Sequence, residues 1–179
     1  MPDLEARTAQ ALRAIVWNHV AGKRLSLESA STVCICLLGD CGLQLRQAGY
    51  DIRGYPQHCA VWLRHILRER LDPPVWRPWP AALWEPTPAP AEGHDWELFR
   101  ALGTHLHDVG AEAGLQLDAA IRVALALTAD LLAMLRQMLD WELTDLDEMI
   151  DDTVQSGIRL YIANATPEPH INHHGGGRP

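Results

Sequence analysis

At 179 residues, with 47% hydrophobic and 21% charged side chains, the chain is long enough for one solid core or two small ones, in an ordinary globular balance. No uncharged apolar run reaches the roughly 18 residues a membrane span needs, four cysteines at uneven spacing are not a secreted disulfide framework, and charges at Asp3, Glu5 and Arg7 interrupt any apolar signal core, so a cytoplasmic location is expected. The net charge of −8 argues against direct nucleic-acid binding, which needs clustered basic residues; it is also uneven, residues 1–71 carrying nine basic against six acidic side chains and residues 72–179 six against seventeen.

In chain order, Asp3 is a candidate N-cap for a first helix whose apolar stripe runs from Leu4 to Val20 and ends near Gly22. Ser26 caps a second helix running to Gly49. Gly54 and Pro56 open a third, with Cys59, Leu63, Ile66 and Leu67 inward, ending before Asp72. Residues 73–90 then hold seven of the twelve prolines, a density no helix survives. Trp76, Trp79 and Trp84 lie among them, which suits an extended arm pinned to a helical body, or a segment that docks a partner. Helices resume at Asp95 with Trp96, Phe99, Leu102, Leu106 and Val109 inward, stopping at Gly110 and Gly114. From Asp118 a stripe runs through Ile121, Leu125, Thr128, Leu132, Leu135 and Leu139. It continues as Leu143, Leu146, Ile150, Gly157 and Leu160, with a break expected near Asp140–Thr144, where Thr144 and Asp147 have capping spacing. Residues 165–179 have no core material and read as a mobile tail. Its histidines, His170, His173 and His174, are expected to chelate a metal loosely at most.

Sliding the chain on itself by 90 positions aligns 11–47 with 101–137, without a gap, at twelve identities in 37. They include Asp40 with Asp130 and the tripeptide LRQ at 45–47 with LRQ at 135–137. Shared helix patterning accounts for the apolar matches, but not for the aspartate and the Arg-Gln pair in the same register. The expected fold is therefore all-α: a helical bundle of two pseudo-symmetric three-helix repeats, 1–71 and 94–164, joined by the Pro/Trp-rich arm 72–93. Neither amphipathic unit buries its apolar face alone, so the two should share one core.

That register also bears on the cysteines. Cys34, Leu38, Cys41, Leu45 and Ala48 follow the spacing of a packing seam, and Cys34, Cys36 and Cys41 align with Ala124, Ala126 and Leu131. Residues 33–38 are apolar all round, the mark of a central helix. Core thiols are expected rather than a metal or redox site, since Cys-Ile-Cys within a helix does not converge tetrahedrally. Asp40 and Asp130, inside apolar helices, need solvent or a basic partner. Arg46, Arg122 and Arg136 are the candidates, in a paired polar core that sets helix register.

Candidate chemistry is sparse. No phosphate-binding glycine loop, nucleophile elbow or metal-ligand helix motif occurs, and no metal or cofactor is expected. Arg100 stands five residues before His105. This R-x4-H spacing resembles the short motif of HEPN-type ribonucleases, all-helical proteins whose Arg and His act on RNA at a dimer interface. The resemblance implies those roles for Arg100 and His105, although Ala101 stands where that family usually carries a polar residue. A small-ligand pocket between repeats, lined by Trp62, Trp96 or Trp141, is a further reading. The stretch 140–152 holds seven acids in thirteen residues. Glu142, Asp145, Asp147, Glu148, Asp151 and Asp152 form the acidic outer face of an amphipathic helix, suited to a basic partner protein; the uneven charge also suits head-to-tail contact in a homodimer. The leading expectation is a non-enzymatic interaction module: an immunity, antitoxin-like, anti-defence or regulatory binding protein.

Overall fold

The structure is a computed structural model that describes residues 4–22, 25–71 and 93–165. Asp3, the Pro/Trp stretch with Trp76, Trp79 and Trp84, and the tail histidines lie outside the described residues. The described chain is helical, with no strand among those residues. Its helices are α1 (Leu4–Ala21), α2 (Leu27–Gln47), α3 (Tyr55–Leu71), α4 (His94–Ala113), α5 (Leu117–Leu139), α6 (Leu143–Met149) and α7 (Gln155–Asn164), with a π-helical turn, Ile150–Val154, joining the last two.

Local chemistry sets most helix ends. The Ser26 hydroxyl accepts from Ser29 N at 3.1 Å at the start of α2, satisfying one of the orphan amides there. Gly114 closes α4 in the left-handed region at φ 74°, where glycine carries no Cβ penalty. Asp140 takes the same conformation at φ 53° and ends α5. The expected break therefore lies at 140–142. Its cap is Glu142, whose N–H donates to Asp145 Oδ2 at 2.8 Å, rather than the Thr144–Asp147 pair. Gly110 does not stop α4, which runs one turn further because Gly114 supplies the required positive φ.

At the centre, α2 packs on α5. Around them α1 lies against α4 and α5, α4 against α1 and α2, α3 against α5 and α7, and α7 against α2 and α3, whereas contact between α1 and α2 is slight. Glu5 meets Arg122 and Arg13 meets Asp130. Both pairs advance by eight residues along each helix, so α1 and α5 run parallel. One apolar cluster draws on every one of these helices and on the π turn, and Leu12, Leu38, Leu63, Leu98, Leu102, Leu131 and Leu132 are wholly buried in it.

The final stripe departs from the expected one. Leu146, Ile150, Val154 and Ile158 are buried, while Leu143 is 51% and Leu160 62% exposed. Four-residue steps overshoot an α-helical turn by about 40° each, so three steps would swing Ile158 about 120° away from Leu146. The π turn, closed by Gln155 N–H to the Ile150 carbonyl, fits an extra residue into one turn and winds that drift back. Deleting the exposed Thr153 restores α-helical spacing to Ile150, Val154 and Ile158. It is expected to lower Tm by less than about 8 °C, whereas deleting Ala126 rotates Leu127–Leu135 by about 100° and abolishes cooperative melting. Thermal unfolding followed by circular dichroism checks this; equal damage from the two deletions would refute the account of the π turn.

Candidate functional site

An open groove of about 470 Å³ runs between α1 and α4, lined by Ile15 and, on α4, by Glu97, Arg100, Thr104, His105 and Asp108. The two residues of the R-x4-H spacing thus border the same groove. Five positions on an α-helix are about 140° apart, so they flank it instead of standing side by side. Arg100 is exposed and His105 half-buried, and Glu97 and Asp108 are exposed on the same helix. Trp62, Trp96 and Trp141 are not in its lining. Trp62 meets His65 edge-on at 5.8 Å, and Trp96 stacks on Phe99 at 5.2 Å.

The acidic segment divides in two. Arg64 of α3, largely buried, donates from Nε to Asp147 Oδ1 at 3.0 Å and from Nη2 to the Asp147 carbonyl at 3.3 Å. Its Nη2 also meets Asp151 Oδ1 at 2.5 Å. Beside these carboxylates the Arg64 pKa is raised and that of Asp151 lowered, each through its hydrogen bond to the other. Asp147 and Asp151 therefore fasten α3 to the end of α6 and to the π turn, and Arg64 also reaches the Asp147 carbonyl in the last turn of α6. Asp145 is engaged with the Glu142 amide. Asp145, Glu148 and Asp152, at i, i+3 and i+7, are exposed along one ridge, with Glu142 exposed at its start.

Cys34, Cys41 and Cys59 are buried and Cys36 is half-buried; all four are free thiols. Burial pushes Cys59 up to about 11 and Cys41 up to about 12, and carries Cys34 above the ordinary thiol range altogether. A protonated thiol sealed from water is neither a nucleophile nor a metal ligand at neutral pH. Among the described residues no three His, Cys, Asp or Glu side chains gather as a metal site, and no helix there is long and apolar enough to cross a membrane.

Arg13 Nε donates to Asp130 Oδ2 at 2.5 Å. Arg122 instead bridges Glu5 at 2.6 Å and Asp118 at 2.9 Å on the surface. The buried Nε of Arg136 has no hydrogen-bond partner among the described residues. Asp40 accepts from Gln44 Nε2 at 2.8 Å and from the Tyr161 hydroxyl at 3.4 Å. Arg13 and Arg64 are the site residues that sequence reasoning passed over. Their partners lie 117 and 83 positions away, and no local pattern announces such pairs.

Comparison with protein-family models, with curated proteins and with solved structures returns no match.

Proposed function

We propose that this protein is a non-catalytic interaction module of the immunity, antitoxin-like, anti-defence or regulatory kind, gripping a basic partner protein with the ridge Asp145, Glu148 and Asp152. The observation that carries this reading is the asymmetry of the acidic segment. Asp147 and Asp151 are paired with Arg64, whereas Asp145, Glu148 and Asp152 stand exposed along one ridge. A row of exposed carboxylates complements a positively charged protein surface. A photo-crosslinking residue at the exposed Thr144, one turn before Glu148, is expected to capture a discrete basic protein from the native host. Capture should be lost on Glu148→Arg with Asp152→Arg and should be absent from the same probe at Arg7. Equal capture from both positions would defeat the reading.

We further propose that the bundle is a tandem duplication. Support comes from the packing, which keeps its form when α1, α2 and α3 exchange places with α4, α5 and α7. The α1–α5 contact becomes α4–α2, α3–α5 becomes α7–α2, and the α1–α4, α2–α5 and α3–α7 contacts map onto themselves. A second functional reading, ribonuclease action by Arg100 and His105, is favoured by their sharing the α1–α4 groove. It would replace the first if RNA cleavage by the protein disappears in both Arg100→Ala and His105→Ala.

A further inference from the structure

Asp40 and Asp130 occupy the same place in the two halves under the duplication reading, yet they are served differently. Asp130 is met by Arg13, reaching across from α1. The position matching Arg13 in α4 is Gly103, and a Cβ built there meets nothing within 4 Å. Its placement beside Asp40 follows from contacts as well as from alignment. Asp95 bears electrostatically on Cys36. One turn further along both helices, Phe99 lies 5.8 Å from the Tyr161 ring, whose hydroxyl reaches Asp40. So α4 runs parallel to α2 with Phe99 level with Asp40, and Gly103 one turn beyond leaves open the place from which a long side chain, leaning back toward the helix N-terminus, would reach Asp40.

Asp40 has no ion pair among the described residues. It is half-buried, and it stands at the end of an aromatic row in which Trp96, 57% exposed, stacks on Phe99, and Phe99 leans on Tyr161. A carboxylate beside aromatic faces suits a planar cation, which pairs with the oxygens through its N–H groups and lies flat on the rings. We infer that Asp40, with Trp96, Phe99 and Tyr161, is the docking point for an arginine side chain of a partner protein, which takes the place that Arg13 holds at Asp130. This rests on the duplication for its register and is independent of the acidic ridge.

Two measurements on the full chain test it. Gly103→Arg fills the gap from within, so it should raise Tm, and adding Asp40→Asn should remove that gain beyond the gain of Gly103→Ala. No such dependence on Asp40 would overturn the register and the site with it. The second measurement titrates the blocked peptide Gly-Gly-Arg-Gly-Gly and follows backbone amide shifts at 36–40 and 99–103. Saturable shifts are expected, at least tenfold weaker with citrulline in place of arginine and several-fold weaker with lysine. They should be absent from Asp40→Asn and from Gly103→Arg, each checked for its fold by circular dichroism. Equal binding of the citrulline or lysine peptide, or shifts that persist in Asp40→Asn, would refute an arginine site. No shifts at all, with the Gly103→Arg gain intact, would refute the ligand while leaving the duplication standing.

Discussion

Gly39→Ala is expected to lower stability by about 1–3 kcal/mol, while the same change at Gly103 raises it by about 1 kcal/mol. Both glycines lie inside helices, so both substitutions gain the same helix propensity. What differs is the neighbour. A Cβ on Gly39 falls 2.7 Å from Tyr161 Cδ1 and 2.8 Å from its Cβ and Cγ. The root of that side chain does not swing aside, so α7 itself must move off α2. Gly157, on the other side of the same crossing, would meet a single close atom, Ile35 Cγ2 at 2.7 Å, with the Ile35 Cβ at 3.9 Å, and with one close contact in place of three Gly157→Ala is expected to cost less than Gly39→Ala. Urea unfolding of the single variants checks the order. In a Tyr161→Gly background, which removes the Cβ as well as the ring, Gly39→Ala should become neutral or stabilising; a cost that survives there would mean that the clash is not the cause.

Alkaline unfolding driven by the core thiols is the second large effect expected. Cys34, Cys41 and Cys59 are buried, and desolvation raises the pKa of each in the folded state. In the unfolded chain a thiol ionises near about 8.5. The folded state therefore keeps protons that the unfolded state releases, and stability falls as pH rises above that value. The loss is about 1.4 kcal/mol per pH unit for each thiol, hence about 4 kcal/mol per unit for the three. It continues until the folded values, about 11 for Cys59 and about 12 for Cys41, are reached. A domain of ordinary stability, about 5–15 kcal/mol, is exhausted within one to four units. Below about pH 8 the thiols contribute no slope. Urea midpoints between pH 7 and 11 should fall steeply for the wild type. They should stay nearly level to about pH 10, where unfolded tyrosine begins to ionise, in the variant combining Cys34→Ala, Cys41→Ala and Cys59→Ala with Cys36→Ala, whose pKa burial also raises. Matching slopes in the two proteins would show that these thiols are not what base attacks.

The residues of the candidate sites were legible to unequal degrees. The acidity of 140–152 is plain in the sequence, but which acids remain outside is not. Arg64 decides that, and it arrives from a helix 83 positions earlier. The spacing of Arg100 and His105 alone would put them on different flanks of a helix. They share a groove because α1 supplies the opposite wall through Ile15.

The sequence by itself determined most of the helix boundaries and marked α2 as a central helix. Caps, positive-φ turns and helical periodicity act over three to five residues, so Ser26, Gly114, the break after Leu139 and the sealed cysteines of α2 follow from neighbours in the chain. Tertiary structure decided the inward face beyond Leu146, the partners of Asp130, Asp147 and Asp151, and the close approach of α7 to α2. Each depends on the distance and angle between helices far apart in sequence. A stripe spaced by fours is read correctly only once the π turn that rewinds it is known, and glycine at 39 is required only because Tyr161 stands against it.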